Sequence, residues 1–171
     1  GLTQGTVTNI YQDTDGYLWL GTQGGLHRYD GYEFKVFKNN PTDSCSLTDN
    51  NVLDIGEDKN KNIWVITDNG VHKITHQTGK IKRYYVKETR FMHCCMLSQS
   101  GDFFLAGEKF IYQYDEQGDS LVFKDWLSST PIASNIKGLQ EDEEGNLYIA
   151  SSSTGLAVLN KQREVIRFYQ H

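Results

Sequence analysis

Apolar and polar residues alternate along the chain in short runs of four to seven residues. The runs are rich in β-branched and aromatic residues, and apolar residues do not recur at helical spacing over ten or more positions. Segments with Gly, Asp or Asn separate the runs, as at residues 13–16, 23–25, 30–31 and 68–70. This pattern is typical of antiparallel β-strands and predicts an all-β chain.

The runs also repeat as a set of four. The aromatic residue in the second run recurs after 45, 40 and 44 residues, at Trp19, Trp64, Phe104 and Tyr148. Four short strands in a period of about 43 residues make one β-propeller blade. We therefore predict one propeller segment over residues 1–171, with blades at about residues 2–40, 46–85, 90–123 and 132–170.

Most of the repeated residues have a structural interpretation. Aromatic residues of the Trp19 type should pack between blades, and glycines of the Gly25 type should provide a positive φ or a close backbone approach. The aspartates that end the first run should accept backbone N–H bonds in the following turn; they are Asp13, Asp58 and Asp142, with Ser98 in the third repeat. We expect Cys95 to be a small core residue and no disulfide framework to form.

The repeat reads V-x-x-I-x-x-D-x-x-G-x-L-W-L-G-T-x-x-G-L-x-x-Y-D from Val7 to Asp30. It resembles the two-component regulator propeller family, and so do the second and fourth copies. Such repeats form the periplasmic sensor of hybrid two-component proteins, in which two seven-bladed propellers and a β-sandwich precede a membrane helix and a histidine kinase. The resemblance implies an open part of a larger propeller, which needs the remaining blades as partners and is expected to form homo-oligomers.

Composition narrows the choice of partner. The net charge is −5 and the two signs are mixed along the chain. The basic residues at 80–83 lie in an alternating pattern and are interpreted as a solvated strand face, so we expect no nucleic-acid binding. No apolar stretch approaches the roughly 20 residues that cross a bilayer, so this segment should make no membrane contact.

Catalytic and metal-binding patterns are weak. Residues 13–16 have the D-x-D-G opening of a calcium loop, but Trp19 and its neighbours occupy the positions of the later oxygen ligands, so a turn is the better interpretation. The acidic cluster Glu141, Asp142, Glu143 and Glu144 is interpreted as a solvated loop. No metal-ligand spacing or nucleophilic arrangement appears, and we expect no cofactor.

Candidate ligand contacts are residues that depart from the repeat. Trp126 follows the third blade outside the repeated aromatic position, and a sugar ring could stack on it, with Asp125 and Lys124 as hydroxyl partners. Arg90 and Lys87, after the second blade, are weaker candidates. The alternative is that Trp126 covers a blade edge.

The function that these features favour is a non-enzymatic sensor module that detects a glycan-derived oligosaccharide. A propeller lyase or glycosidase is one alternative, and a structural scaffold for protein partners is another.

Overall fold

A computed structural model describes residues 6–85, 92–128, 130–132 and 134–170 of the chain. Sixteen β-strands, and no helix, occur in these ranges. The strands form four antiparallel sheets of four strands each, and within each sheet the strands neighbour one another in chain order. The prediction of an all-β fold built from four-stranded β-propeller blades is confirmed.

Each blade is a meander of consecutive strands. Blade 1 consists of β1 (Val7–Gln12), β2 (Leu18–Thr22), β3 (Gly25–Tyr29) and β4 (Phe34–Phe37). Blade 2 consists of β5 (Val52–Glu57), β6 (Ile63–Thr67), β7 (Gly70–Ile74) and β8 (Ile81–Tyr84). Blade 3 consists of β9 (Met92–Leu97), β10 (Phe103–Gly107), β11 (Ile111–Asp115) and β12 (Ser120–Lys124). Blade 4 consists of β13 (Ile136–Glu141), β14 (Leu147–Ser151), β15 (Gly155–Leu159) and β16 (Val165–Tyr169).

The chain divides into two compact units, Gly1–Phe91 and Met92–His171. The first unit contains blades 1 and 2, and the second contains blades 3 and 4. Each unit has a hydrophobic core made by residues from both of its blades. Membership of the four blades in one larger ring stays a prediction.

The repeated aromatic residues of blades 1 and 3 face the next blade of their unit. Trp19 is 3% exposed and shares a cluster with apolar residues of blade 2, namely Val52, Ile55, Ile63, Val65, Ile74 and Ile81. Phe104 shares the corresponding cluster with residues of blade 4, among them Leu139, Leu147 and Ile149. The predicted packing between blades is confirmed at both positions. We call the side of each blade that carries this aromatic residue its leading face.

The glycine that opens the third strand has the predicted geometry in blades 1 and 4, whereas Gly70 in blade 2 has no positive φ. Gly25 has a φ of +126°, and a Cβ atom there would lie 2.6 Å from the carbonyl oxygen of Phe37. Gly155 in blade 4 has a φ of +116° and lies against the backbone of Tyr169. Any larger residue would be strained in φ and would push the fourth strand away.

The prediction that Cys95 is a core residue is wrong, because its neighbour Cys94 occupies the core instead. Cys94 is 5% exposed and belongs to the core of the second unit, whereas Cys95 is only half-buried. Side chains alternate along a strand, so Cys94 shares the leading face with Met96 and Cys95 points to the other side of the sheet.

One residue of the basic segment 80–83 is not a solvated strand residue. The Arg83 guanidinium donates to the carbonyl oxygens of Asp43 (2.8 Å), Ser46 (2.8 Å) and Leu47 (3.3 Å). It thereby ties β8 to the connection between blades 1 and 2. Lys80 and Lys82 are exposed, as predicted.

Candidate functional site

A carboxylate joins the first turn of a blade to its aromatic residue. Asp13 Oδ1 accepts the backbone N–H of Tyr17 (2.9 Å), and Asp13 Oδ2 accepts the indole N–H of Trp19 (2.7 Å). The same indole bond joins Trp64 to Asp58 in blade 2 (2.8 Å). The predicted turn role is confirmed for both aspartates, and these carboxylates are occupied by the fold.

The indole bond itself was missed in the sequence. Blade 3 lacks both of its partners, because Ser98 replaces the aspartate and Phe104 has no N–H group. The replacement of both the aspartate and the tryptophan in the same blade, six positions apart, could have indicated that the two side chains are bonded to each other. In blade 4 the pair becomes Asp142 and Tyr148, and hydrogen bonds from Asn146 and then Tyr148 lower the pKa of Asp142.

A cleft of about 200 Å³ opens where blades 1 and 2 meet. At its rim, Lys61 Nζ donates to Asp15 Oδ1 at 2.6 Å, and His76 Nδ1 lies 3.5 Å from Asp15 Oδ2. The hydrogen bond with Lys61 lowers the pKa of Asp15, and the same bond raises the pKa of Lys61. We call this space the seam cleft; its polar lining consists of Asp13, Asp15, Arg28, Lys35, Lys61, Thr75 and His76, with the ring of Tyr17.

Two further cations lie along the leading face of blade 1, Arg28 half-buried and Lys35 exposed. Strand pairing places Trp19, Arg28 and Lys35 side by side on β2, β3 and β4. The Arg28 guanidinium lies 4.5 Å from the centroid of the Tyr17 ring, and Lys35 Nζ lies 5.1 Å from that of Phe37. Arg28 Nε is buried and has no hydrogen-bond acceptor in the part of the chain that the structure describes.

The second unit has a corresponding cleft of about 400 Å³, lined by Gln99, Ser100, Glu141, Gly145, Lys161 and Arg163. Here the deeper cation is neutralised, because Arg163 Nη2 lies 3.1 Å from Glu141 Oε1. Glu141 also accepts the backbone N–H of Gln99 at 2.8 Å. The predicted solvated loop is therefore wrong for Glu141, whose side chain is 8% exposed, although Glu143 and Glu144 are exposed.

The candidate ligand contacts that depart from the repeat lie in different environments. Trp126 is half-buried in the core of the second unit, 5.1 Å from the Phe104 ring, and the Arg163 guanidinium lies 5.0 Å from its indole. Lys124 is half-buried at the end of β12, and Asp125 is exposed beside it. The remaining two candidates, Lys87 and Arg90, lie outside the described residues. Contact of Trp126 with a sugar stays a prediction.

Known proteins share both the sequence of the repeat and the fold. The sequence profile described as the two component regulator propeller matches residues 1–24 and 46–69. These two segments of the chain are therefore similar to two-component regulator propeller repeats. A protein named Histidine kinase P4, from Formosa agariphila, is 50% identical over 48 residues, which make up 28% of this chain and 4% of that kinase.

Solved structures with low sequence identity share the fold. Two are extracellular domains from B. thetaiotaomicron: one, assigned to a hybrid two-component system, has 19% identity and a TM-score of 0.59, and one, assigned to a one-component system, has 18% and 0.78. They are matched over 100% and 98% of this chain, which spans 29% and 25% of their lengths. Virginiamycin B lyase from Staphylococcus aureus also matches, with 16% identity and a TM-score of 0.67 over 93% of this chain and 54% of the lyase.

No helix that could cross a membrane occurs in the described ranges.

Proposed function

We propose that this chain is part of the extracytoplasmic sensor of a two-component signalling protein and that it helps to recognise an oligosaccharide. The observation that carries the proposal is the sequence of the repeat itself, which matches the regulator propeller profile twice and a histidine kinase at 50% identity. The fold shared with two extracellular domains supports the same assignment. A periplasmic location follows from this role and is part of the proposal.

The seam cleft supports recognition of a small polar ligand. It combines an aromatic ring, Tyr17, with charged groups of both signs that converge from two blades. Polar groups of this kind fix the orientation of a ligand in a pocket. The half-buried indole of Trp126 is a second candidate contact, in the other unit.

Binding would act on the signalling protein through a change in how its protomers pack. A ligand shifts such an equilibrium only by its difference in affinity for the two arrangements. The kinase that reads the change lies outside this chain in the proposed architecture, and the sensor works as a homo-oligomer.

A propeller lyase remains the main alternative, because virginiamycin B lyase shares the fold. Against it, the repeated carboxylates Asp13 and Asp58 are occupied by turns and indoles, and Glu141 is held by Arg163. A general acid or base would need a carboxylate that can reach a substrate proton.

Isothermal titration of the purified chain against a panel of oligosaccharides tests the proposal, with product analysis by chromatography after prolonged incubation. We expect saturable binding of at least one oligosaccharide and no cleavage. Cleavage that disappears in Glu141→Gln or Asp142→Asn would establish the enzyme instead. Failure of every sugar to bind would favour the protein scaffold.

The partner proposal can be tested by sedimentation. Apolar side chains are exposed on one face of blade 1 and on the leading face of blade 4, for example Ile10 (66%) and Tyr169 (49%). In the proposed architecture further blades cover such faces, so the isolated chain should self-associate. A monodisperse monomer at all concentrations would contradict this partner proposal.

A further inference from the structure

The charges in the seam cleft do not balance. Its carboxylates are Asp13 and Asp15, and its permanent cations are Arg28, Lys35 and Lys61. Asp13 is occupied by the Trp19 indole, and Asp15 is paired with Lys61. No carboxylate among the described residues forms a salt bridge with Arg28 or Lys35, and the three cations outnumber the two carboxylates of the cleft; Arg28 has a longer-range electrostatic interaction with Asp30.

These two cations are direct neighbours. Arg28 on β3 pairs with Lys35 on β4, and cross-strand neighbours on one face have Cβ atoms about 5 Å apart. Like charges at that distance repel each other, and a bound anion would relieve the repulsion. The Arg28 guanidinium lies 4.5 Å from the centroid of the Tyr17 ring, and its Nε has no hydrogen-bond acceptor among the described residues.

Blade 3 shows that the fold does not need these cations. The residues that correspond to Trp19, Arg28 and Lys35 are Phe104, Gln113 and Val122, paired in the same register. The deeper cation of the second unit's cleft, Arg163, is held by Glu141. Blade 2 carries Lys73 and Lys82 at the corresponding positions, so a pair of cations on this face occurs in both blades of the first unit and is absent from blade 3.

We infer that the seam cleft binds the anionic group of an acidic sugar, a carboxylate or a sulfate ester, through Arg28 and Lys35. This inference rests on the proposed function, because it names the class of oligosaccharide that the sensor takes. A guanidinium matches both groups, since it donates two parallel hydrogen bonds to two oxygens of one anion.

The test is isothermal titration of the full chain with three oligosaccharides of matched length: an oligogalacturonate, a sulfated galactan and a neutral galactan. Inorganic sulfate alone is the fourth arm. Arg28→Gln introduces the residue that blade 3 carries at this position, so the blade should still fold, and circular dichroism checks this. Lys137→Gln, an exposed lysine on β13, is the matched control for loss of one positive charge.

We expect one of the two acidic oligosaccharides to bind and the neutral one to bind at least tenfold more weakly. Arg28→Gln should weaken acidic-sugar binding roughly tenfold to a hundredfold, as expected for loss of a charged hydrogen bond, and Lys137→Gln should not. Added salt should weaken binding.

Different failures separate the inference from the proposed function. Equal binding of neutral and acidic sugars, unaffected by Arg28→Gln, would overturn the inference and leave the sensor standing. Inorganic sulfate that binds as tightly as the sugars would overturn the sugar part of the inference. Failure of every arm to bind would contradict both.

Discussion

The two units solve the same packing problem with different residues. In blades 1 and 2 the central aromatic ring packs on a second ring from the fourth strand, Trp19 on Phe37 (5.7 Å between centroids) and Trp64 on Tyr84 (5.0 Å). In blade 3 the strand position that corresponds to Phe37 and Tyr84 holds Lys124, paired with Ile111. Trp126, two residues further on, supplies the second ring for Phe104 instead.

This difference explains why Trp126 stands outside the repeat. A ring pair fills the leading face in each of these three blades, while the strand or connection that provides the second ring changes. In these three blades the packed pair of aromatic rings is therefore kept, although the sequence position of the second ring is not.

The seams between blades share one contact and differ in charge. Glu57 accepts the backbone N–H (2.9 Å) and the hydroxyl (2.7 Å) of Thr14 in the first unit, and Glu141 accepts the N–H of Gln99 in the second. Only Glu141, of these two, also neutralises an arginine, Arg163. The glutamate contact joins neighbouring blades in both units. In the first unit this glutamate neutralises no arginine among the described residues, and the positive charge that is left makes the seam cleft the candidate binding site.

The largest expected effect is on the aromatic pair of blade 2. Trp64→Ala should lower the free energy of unfolding by about 3–5 kcal/mol, because Trp64 is fully buried and its removal leaves a cavity. Tyr148→Ala in blade 4 should cost less, since that ring is partly exposed. Urea denaturation measures both, and a loss below about 1 kcal/mol for Trp64→Ala would show that the aromatic residue does not carry the packing.

The next effect concerns a buried histidine of the first unit. His72 Nε2 accepts the backbone N–H of Thr48 at 2.9 Å, and burial lowers the pKa of His72 from 6.5 to about 4. Between pH 6.5 and about pH 4, His72 therefore binds a proton in the unfolded chain but not in the folded chain. The contribution of His72 to the free energy of unfolding should be fully present above pH 6.5. It should be lost as the pH falls towards 4, which lowers the free energy of unfolding by up to about 3 kcal/mol.

Denaturation between pH 7 and pH 4 checks the histidine prediction. His72→Gln should reduce the pH dependence without abolishing it, because burial also lowers the pKa of His27. His27→Gln is the second variant; because His27 is also fully buried, this change should reduce the pH dependence as well. Equal pH dependence in all three proteins would show that the buried imidazoles are not the cause.

A smaller effect separates blade 2 from blade 3. Asp58→Asn should lower the free energy of unfolding by about 1.5–3 kcal/mol. The new amide N–H₂ must face one of the N–H groups that donated to the carboxylate, so a hydrogen bond is lost. Ser98→Asp in blade 3 should bring no stabilisation, since Phe104 offers no indole N–H. Thermal unfolding of both variants tests the pair; a clear gain from Ser98→Asp would mean that the turn alone accounts for the aspartate.

The strands and turns were predictable because their patterns are local. The period from Trp19 to Tyr148 and the turn residues between strands predict four sheets without any knowledge of packing. The seam cleft was not predictable, since the neighbourhood of Arg28 and Lys35 depends on the register of β3 with β4. The role of Glu141 depends on Gln99, 42 residues away, which no local pattern indicates.

Hydrogen exchange tests recognition in the first unit most directly. Amide exchange of the chain would be compared with and without an oligogalacturonate or a sulfated galactan oligosaccharide, because bound ligand slows exchange where it holds the backbone. The account predicts the strongest protection at residues 13–17, 28–35 and 61–79 around the seam cleft. Protection confined to residues 96–107 or 124–163, or no protection with either sugar, would contradict it.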